Sequence, residues 1–354
     1  MNTPAMSLRQ CFRRFLGARP VVVLACLSSA ALPAQTTQLW TMPPSELREK
    51  AKANDPDALY QMGLRYNYGP GMPFDAAKVR EYMEKAAALD QPHAMAVCLM
   101  SGWGRDRDAE TAVKILEERA ASGKDSIALR LLGRCLENGV GIKADASRAY
   151  QLYSTAVALG DPVALHNQAL CLLNGTGCQA DPVTAMELLV KCSDKGNTSA
   201  TTDAANGYLL GKGVAKNEAK AVELYESAAA LGNYIAMNQL GGCCMLGVGT
   251  AKDQARGFEL FSKSAALGND VGLASLGNAY EYGMGTAKDQ PKALALYTKA
   301  AGMGNAVAMY ALGLCCERGK GVPADAAAAL DWYKKAAAKG HLKSQEKVKT
   351  LGGQ

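Results

Sequence analysis

The sequence predicts an all-α protein, a right-handed α/α solenoid of eight 36-residue helix-turn-helix repeats. A small residue recurs at a nearly constant spacing, and a pair of glycines recurs at a fixed distance after it. Aromatic residues make up only 6% of the 354-residue chain, whereas alanine and glycine are abundant. Small side chains let helices approach closely, and a helix pair that cannot bury its apolar face alone must stack on its neighbours.

The repeat starts are marked by the small residue, which in the clearest copies precedes a Leu-Gly or Met-Gly pair by four positions. Consecutive starts are 36 residues apart, except for one interval of 34. Positions within a repeat are counted from this residue as offset 0. The starts of repeats 1 to 8 are Ala58, Ala94, Ala128, Ala164, Ala200, Ala236, Gly272 and Ala308.

Each repeat contains the signals of two helices. A first helix is predicted over offsets 0 to 10, and glycines at offsets 11 and 13 of seven repeats predict a turn. A residue that favours helix N-caps follows at offset 17 and begins the second helix. Glycine at offset 32 of six repeats predicts a left-handed helix end. The predicted N-cap residues are Asp75, Asp145, Asp181, Asn217, Asp253, Asp289 and Asp325.

The helical wheel assigns one side of each helix to the core. Offsets 0, 4, 5, 7 and 8 of the first helix and offsets 21, 24, 25, 28 and 29 of the second are predicted to be buried. Offsets 2, 3, 6, 9 and 10 lie opposite the buried side of the first helix. We call these positions the first-helix surface.

The repeats reproduce the motif A-x-x-x-L-G-x-x-Y-x-x-G-x-G-V, followed by D-x-x-K-A and W/Y-x-K-A-A-x-x-G. In this combination the chain resembles the Sel1-like repeat, a relative of the tetratricopeptide repeat, over about residues 58–344. Repeat 2 departs from the pattern, because its predicted turn is two residues short and Leu99 replaces the glycine at offset 5. The resemblance implies that the first helices line a concave surface.

The two ends of the chain are predicted to differ from the repeats. A lone leading helix is expected over residues 45–54, with Ser45 as its N-cap. The predicted parts are a signal peptide (1–34), a linker and N-terminal capping helix (35–57), eight Sel1-like repeats (58–340), and a C-terminal capping half-repeat and tail (341–354).

The first 34 residues carry the pattern of a secretory leader, in which basic residues precede an apolar run and then small residues. The apolar run at 21–32 rises about 18 Å as a helix, which is too short to cross a bilayer. We therefore expect an exported protein, periplasmic or secreted, whose mature chain starts near Gln35. A lipid anchor through Cys26 ranks second, and no transmembrane segment is predicted in the mature chain.

Charge and composition exclude several classes of function. The net charge is +6, but the leader holds four arginines and no acid, which leaves 35 basic and 33 acidic side chains elsewhere. We therefore predict no nucleic-acid binding, since that requires clustered cations on one face. The three histidines are far apart, and the paired glycines lack the phosphate-loop motif. We accordingly predict a protein that is not an enzyme, with no catalytic residue, cofactor or metal site.

Nine of the eleven cysteines follow the leader, and their offsets are core offsets. Equivalent residues of stacked helices lie about 10 Å apart, beyond the reach of a disulfide. We therefore expect most of the nine thiols to be reduced and buried. Secreted cysteine-rich relatives of the family join repeats by a C-x7-C pair, but Ala200 replaces the second cysteine after Cys192. That branch implies an alternative function, weak hydrolysis or binding of penicillin-like or peptidoglycan-derived compounds.

The first-helix surface supplies the candidate partner site, because amide side chains pair with both donors and acceptors of an extended peptide. We expect a protein or peptide ligand there; an oligomer whose groove is filled by neighbouring copies is the other option. Asn206, Asn238 and Asn278 are expected to make no core contact, so their replacement by alanine weakens binding with little change in stability. The candidate residues are Tyr60, Arg130, Arg134, His166, Asn167, Asn206, Asn238, Gln239, Asn278, Tyr282 and Tyr310.

Overall fold

The computed structural model describes residues 42–68, 72 and 75–351, so the predicted signal peptide lies outside the described residues. Within this part of the chain there are eighteen helices and no strand. None of these helices is both long and apolar enough to cross a membrane. The helices are α1 (Pro44–Lys52), α2 (Pro56–Tyr68), α3 (Ala76–Ala88), α4 (Pro92–Ser101), α5 (Ala109–Ala120), α6 (Ser126–Asn138), α7 (Ala146–Ala158), α8 (Pro162–Asn174), α9 (Pro182–Asp194), α10 (Thr198–Leu210), α11 (Glu218–Ala230), α12 (Tyr234–Leu246), α13 (Gln254–Ala266), α14 (Asp270–Tyr282), α15 (Gln290–Gly302), α16 (Ala306–Arg318), α17 (Ala326–Ala338) and α18 (Leu342–Leu351).

Helices α2 to α17 form eight helix pairs, which confirms the predicted all-α solenoid of stacked repeats. In each pair the even-numbered helix is the first helix and the odd-numbered helix is the second. The described chain divides into two compact units, an N-terminal unit (42–233) and a C-terminal unit (234–351). Within each unit, every helix packs against the next helix along the chain.

The N-caps explain where the helices begin. All seven predicted N-caps of the second helices are confirmed, since each carboxylate or amide oxygen accepts the backbone N–H three residues ahead. The first helices begin at offset −2, two residues before the predicted start. The sequence carried a signal for this start, because a capping residue precedes it directly, as Asp161 does for α8. The side chains that cap first helices are Asp55, Gln91, Asp125, Asp161, Asn197, Asn269 and Asn305.

The second glycine of four turns, at Gly141, Gly177, Gly213 and Gly285, is required for two reasons, shown by Gly141. Its φ of 69° lies in the left-handed region, which residues with a Cβ rarely adopt. A Cβ at this position would also collide with the backbone carbonyl of Ala109, at the start of the preceding second helix. The turn of one repeat therefore packs directly against the backbone of the repeat before it.

Repeat 2 corrects one detail of the sequence interpretation. Its turn is not short, because Gly102 and Gly104 adopt the same left-handed pair of conformations, with φ of 70° and 63°. The shortening falls in α4, which has 10 residues where the other first helices have 13. The turn therefore keeps its backbone geometry and the first helix absorbs the deletion, although a Cβ at Gly104 would meet the Glu84 side chain of repeat 1 and not a backbone carbonyl.

The helices that flank the repeats lie where capping elements were expected. Helix α1 begins at Pro44, and its N-cap residue Pro43 makes no side-chain capping bond, so the assignment of Ser45 as N-cap was wrong. Proline fits the first position of a helix because the missing N–H has no partner there in any case. Helix α18 follows repeat 8 and packs against α17.

None of the nine cysteines after the leader is in a disulfide, and seven of them are buried, as predicted. Cys178 and Cys316 are partly exposed. Burial raises the pKa of Cys192 to about 12 and the pKa of Cys135 to about 11. Because the thiolate is the reactive form, these two thiols are poor nucleophiles in the folded protein.

Candidate partner-binding surface

The structure divides the first-helix surface into a buried part and an accessible part. The prediction that offsets 2 and 3 lie opposite the buried side was wrong for six candidates, because these offsets contact the neighbouring repeats. The buried candidates are Tyr60, Arg130, His166, Asn167, Asn238 and Gln239. The candidates that keep solvent access are Arg134, Asn206, Asn278, Tyr282 and Tyr310.

Arg130 forms a buried ion pair that links repeats 3 and 4. Its Nε lies 3.0 Å from Oδ2 of Asp161, and neither side chain is more than 1% exposed. The other carboxylate oxygen caps α8 by accepting the N–H groups of Val163 and Ala164. Burial raises the pKa of Asp161 to about 7, although Arg130 and these N–H groups act in the opposite direction. A pair held in this way stabilises the stacking of repeats and is not available to a partner.

Tyr60 belongs to the same interior region of the N-terminal unit. Its ring centroid lies 5.7 Å from that of His93, at an angle of 40°. Burial raises the pKa of Tyr60, and the nearby Arg130 guanidinium lowers it by a smaller amount. Side chains from repeats 1, 2 and 3 therefore meet in one polar cluster. The wheel of a single helix pair could not show this, because it contains no information about adjacent repeats.

His166 makes the corresponding contact between repeats 4 and 5. Its Nε2 lies 2.9 Å from Oδ2 of Asp203 on α10. The neighbouring Asn167 is buried, and its Nδ2 has no hydrogen-bond partner among the described residues. These two candidates are thus on the same helix but differ, since one pairs across the repeat interface and the other retains an unused donor.

The expectation that three asparagines make no core contact was wrong. Asn206 Oδ1 accepts a 2.5 Å hydrogen bond from the buried phenol of Tyr225, and Asn278 Oδ1 accepts a 2.9 Å bond from that of Tyr297. Asn238 is itself buried. A buried phenol needs a hydrogen-bond acceptor, and in these two repeats an asparagine of the first helix supplies it. The recurring tyrosine at offset 25 was a signal for this pairing.

The accessible part of the C-terminal unit centres on two tyrosines. Tyr282 is 52% exposed, and the Nζ of Lys320 lies 5.5 Å from its ring centroid. Lys320 also pairs with Glu281 at 2.9 Å, which fixes the cation beside the ring. Tyr310 is half-buried against the rings of Tyr333 and His341. Exposed aromatic side chains that neighbouring residues hold in position are typical of the residues that contribute most of the binding energy at protein interfaces.

A profile of the Sel1 repeat matches this chain in eight segments, which together cover most of it. The matched residues are 56–91, 93–124, 126–161, 162–197, 200–233, 235–269, 271–305 and 306–341. The chain belongs to the Sel1 repeat family. The family assignment agrees with the helix pairs described above, and the matched segments follow their boundaries closely.

Solved structures of other Sel1 repeat proteins are similar to this chain. A Sel1 repeat protein from Oxalobacter formigenes is 25% identical, with a TM-score of 0.58, over 69% of this chain and 96% of that chain. A protective antigen present in uropathogenic Escherichia coli strains, which displays an SLR fold, is 27% identical with a TM-score of 0.49. That match covers 87% of this chain, which spans only 66% of the antigen's length.

The Helicobacter pylori cysteine rich protein B is 29% identical over 37% of this chain and 94% of that chain, with a TM-score of 0.30. No curated protein matches the sequence. In the present chain, Ala200 occupies the position of the second cysteine of the C-x7-C disulfide pair. Ala200 is buried beside α9 and α11. Cys192 is not in a disulfide.

Proposed function

We propose that this protein is a non-catalytic scaffold that binds a protein or peptide through the accessible part of its first-helix surface. Sel1 repeat solenoids are typical of scaffolds for protein–protein interaction, which supports the general class. The observation that carries the specific proposal is the exposed Tyr282, set beside a fixed cation on a row of polar first-helix residues.

Asn278 supports the same surface as a place for hydrogen bonding. The phenol of Tyr297 lies 2.9 Å from its Oδ1, and also 2.9 Å from Glu281 Oε2, so the amide is positioned beside this buried hydroxyl. Among the described residues, no acceptor pairs with its Nδ2, so this donor is available to a backbone carbonyl of a ligand. An amide that is oriented before binding loses less conformational freedom when the ligand arrives.

Export is part of the proposal and rests on the leader pattern in residues 1–34. The scaffold acts outside the cytoplasm, in the periplasm or in the secreted fraction. N-terminal sequencing of the protein isolated from cells tests this point. A mature chain that starts near Gln35 supports export, whereas a chain that retains Met1 contradicts it.

The binding proposal is tested by capture from the native envelope and secreted fractions, with the mature chain as bait and mass spectrometry as readout. The Tyr282→Ala variant is expected to lose the captured partner, because the exposed ring supplies much of the contact. Leu342→Ala is the matched control, since Leu342 is also exposed in the C-terminal unit but lies on α18. Equal capture by all three baits contradicts the proposed surface. Hydrolysis of nitrocefin above the buffer rate contradicts the non-catalytic part.

A further inference from the structure

A chain of hydrogen bonds crosses three repeats in the N-terminal unit. Gln91 Nε2 lies 3.2 Å from Asp57 Oδ1 on α2 and 3.1 Å from His93 Nδ1 on α4. His93 Nε2 lies 3.0 Å from both carboxylate oxygens of Asp125, the N-cap of α6. Arg119 of α5 completes the chain with its Nε 3.0 Å from Asp125 Oδ2. Gln91 and His93 are 5% and 4% exposed.

The orientation of the Gln91 amide is fixed by its role as a helix cap. Its Oε1 accepts the backbone N–H of Ala94 at 2.7 Å, which is the capping bond of α4. The two hydrogens of Nε2 are then directed to Asp57 and to His93. Nδ1 of His93 must therefore accept, and the ring proton of neutral His93 lies on Nε2, where it is donated to Asp125.

A second proton on His93 has no acceptor in this arrangement. Protonated Nδ1 would face the N–H groups of the Gln91 amide, so two donors would oppose each other. Rotating the amide by 180° would turn its oxygen toward the Asp57 carboxylate and its NH2 group toward the Ala94 N–H. His93 is also the second residue of α4, where the helix dipole disfavours a cation.

The other ionisable groups near the ring do not reverse this conclusion. Asp125 attracts a cation, but its carboxylate already accepts from Arg119 and from the Ala128 N–H. The Tyr60 ring on α2 packs against His93, with the Arg130 cation close to its phenol. Asp125 accepts from Nε2 in both protonation states of His93, so the second ring proton gains no hydrogen bond on that side.

We propose that His93 is an acid-sensitive latch between repeats 1, 2 and 3. Protonation at Nδ1 displaces the Gln91 side chain, removes the cap of α4 and breaks the link to Asp57 on α2. The stabilisation is present while Nδ1 of His93 carries no proton and is lost when Nδ1 is protonated. The proposed latch does not depend on the proposed function of the partner-binding surface.

His166 provides a matched control in the same unit. It is also buried, and its Nε2 pairs with the Asp203 carboxylate at 2.9 Å. It is the fifth residue of α8, farther from the helix N-terminus, and no described amide donor holds its Nδ1. Protonation of His166 therefore strengthens its ion pair, and no cap depends on it.

Hydrogen exchange of the mature chain, followed by mass spectrometry at pH 7.5 and pH 5.5 and corrected for intrinsic rates, tests the latch. In the wild-type protein we expect the first amides of α4 to exchange on the order of tenfold faster at the lower pH. His93→Asn keeps an acceptor for Gln91 and does not titrate, so this acid response disappears. His166→Asn retains it. An unchanged protection of α4 in the wild type, or an acid response that persists in His93→Asn, overturns the proposal.

Gln91→Glu supplies a second variant, which keeps the test decisive even where His93→Asn is poorly folded. It is combined with Asp57→Asn, so that no second carboxylate lies at the 3.2 Å contact that Gln91 Nε2 makes with Asp57 Oδ1. The new carboxylate still accepts the Ala94 N–H and also accepts from protonated Nδ1. The acid response of α4 is expected to reverse, with slower exchange at pH 5.5 than at pH 7.5. Faster exchange of this double variant at pH 5.5, equal to that of the wild type, contradicts the assigned hydrogen-bond directions.

Discussion

The ring of Tyr297 occupies the space that a side chain at Gly277 would need. A Cβ added to Gly277 would lie 2.7 Å from Cε1 and 2.8 Å from Cδ1 of this ring. The same relationship joins Gly133 to Tyr153 and Gly313 to Tyr333. Glycine at offset 5 therefore lets the second helix insert a large aromatic ring against the backbone of the first.

Gly277→Ala is expected to destabilise the protein by about 1–3 kcal/mol, because the methyl group forces the ring out of its position. The sign of the change in stability is informative, since replacing glycine by alanine within a helix ordinarily stabilises a protein by up to about 1 kcal/mol. Gly302→Ala is the control, because nothing lies within 4 Å of its added Cβ. Urea unfolding followed by circular dichroism measures both variants. Equal changes in the free energy of unfolding at the two positions would show that the contact with the ring does not affect stability.

Arg130→Ala is expected to lower the free energy of unfolding by about 3–5 kcal/mol, because Asp161 is left as a buried carboxylate without its cation. The double variant with Asp161→Asn is expected to recover part of the loss, since asparagine still caps α8. Urea unfolding of the single and double variants gives the coupling energy. An Arg130→Ala protein as stable as the wild type would show that the ion pair adds nothing to the stability of the stacked repeats.

The stability contributed by Asp125 is expected to disappear in acid. Burial raises its pKa, but His93, the Ala128 N–H and Arg119 outweigh burial and lower the pKa to about 2. Because this folded value is below the unfolded value of about 3.9, the contribution is present above pH about 4 and is lost as the pH falls toward 2. Asp125→Asn should therefore cost about 2–3 kcal/mol at pH 7 and much less near pH 2. A cost that is independent of pH is incompatible with the assigned pairing.

The cysteines are expected to react with an alkylating reagent mainly after unfolding. Burial raises the pKa of Cys98 and Cys315 to about 11, so little thiolate is present at neutral pH. Mass spectrometry after native alkylation should show modification only at Cys178 and Cys316, which are partly exposed. Three or more disulfides, or native labelling of Cys192, are the results that this packing does not allow.

Local signals in the sequence predicted most of the fold. The helix N-caps at offset 17 and the glycines with left-handed backbone conformation each depend only on residues nearby in the sequence. Because the same signals recur in most repeats, they could be recognised from the sequence. The burial of Arg130 and Tyr60 could not be predicted in the same way, because their partners Asp161 and His93 lie in other repeats. A polar residue opposite the core of one helix pair is exposed only when no adjacent repeat covers it.

The early start of the first helices had a local signal that the helical wheel did not use. Asp or Asn follows the glycine at offset 32 in most repeats and caps the next helix, as Asn305 does for α16. The roles of Asn206 and Asn278 as acceptors for phenols needed the second helix as well, since the tyrosines lie nineteen residues later. Sequence patterns therefore located the surface but did not separate its structural residues from its accessible ones.

Replacing Asn278 tests both roles of that residue at once. Asn278→Ala removes one of the two phenol acceptors and the ligand donor, whereas Tyr297→Phe removes the phenol's contacts with both Asn278 and Glu281 and keeps the ligand donor. The stability loss should be no larger in Asn278→Ala than in Tyr297→Phe, at about 0.5–1.5 kcal/mol for each hydrogen bond removed. Partner affinity should fall much more in Asn278→Ala, and equal affinities would assign Asn278 a purely structural role.

The most direct test of the scaffold proposal is a binding titration of the captured partner against three proteins: wild type, Tyr282→Ala and Leu342→Ala. A central aromatic contact typically contributes 2 kcal/mol or more, so the Kd of Tyr282→Ala should rise by about 30-fold or more. The Kd of Leu342→Ala should equal that of the wild type. A Kd for Tyr282→Ala that matches the wild type would contradict the assignment of the accessible first-helix surface as the binding site.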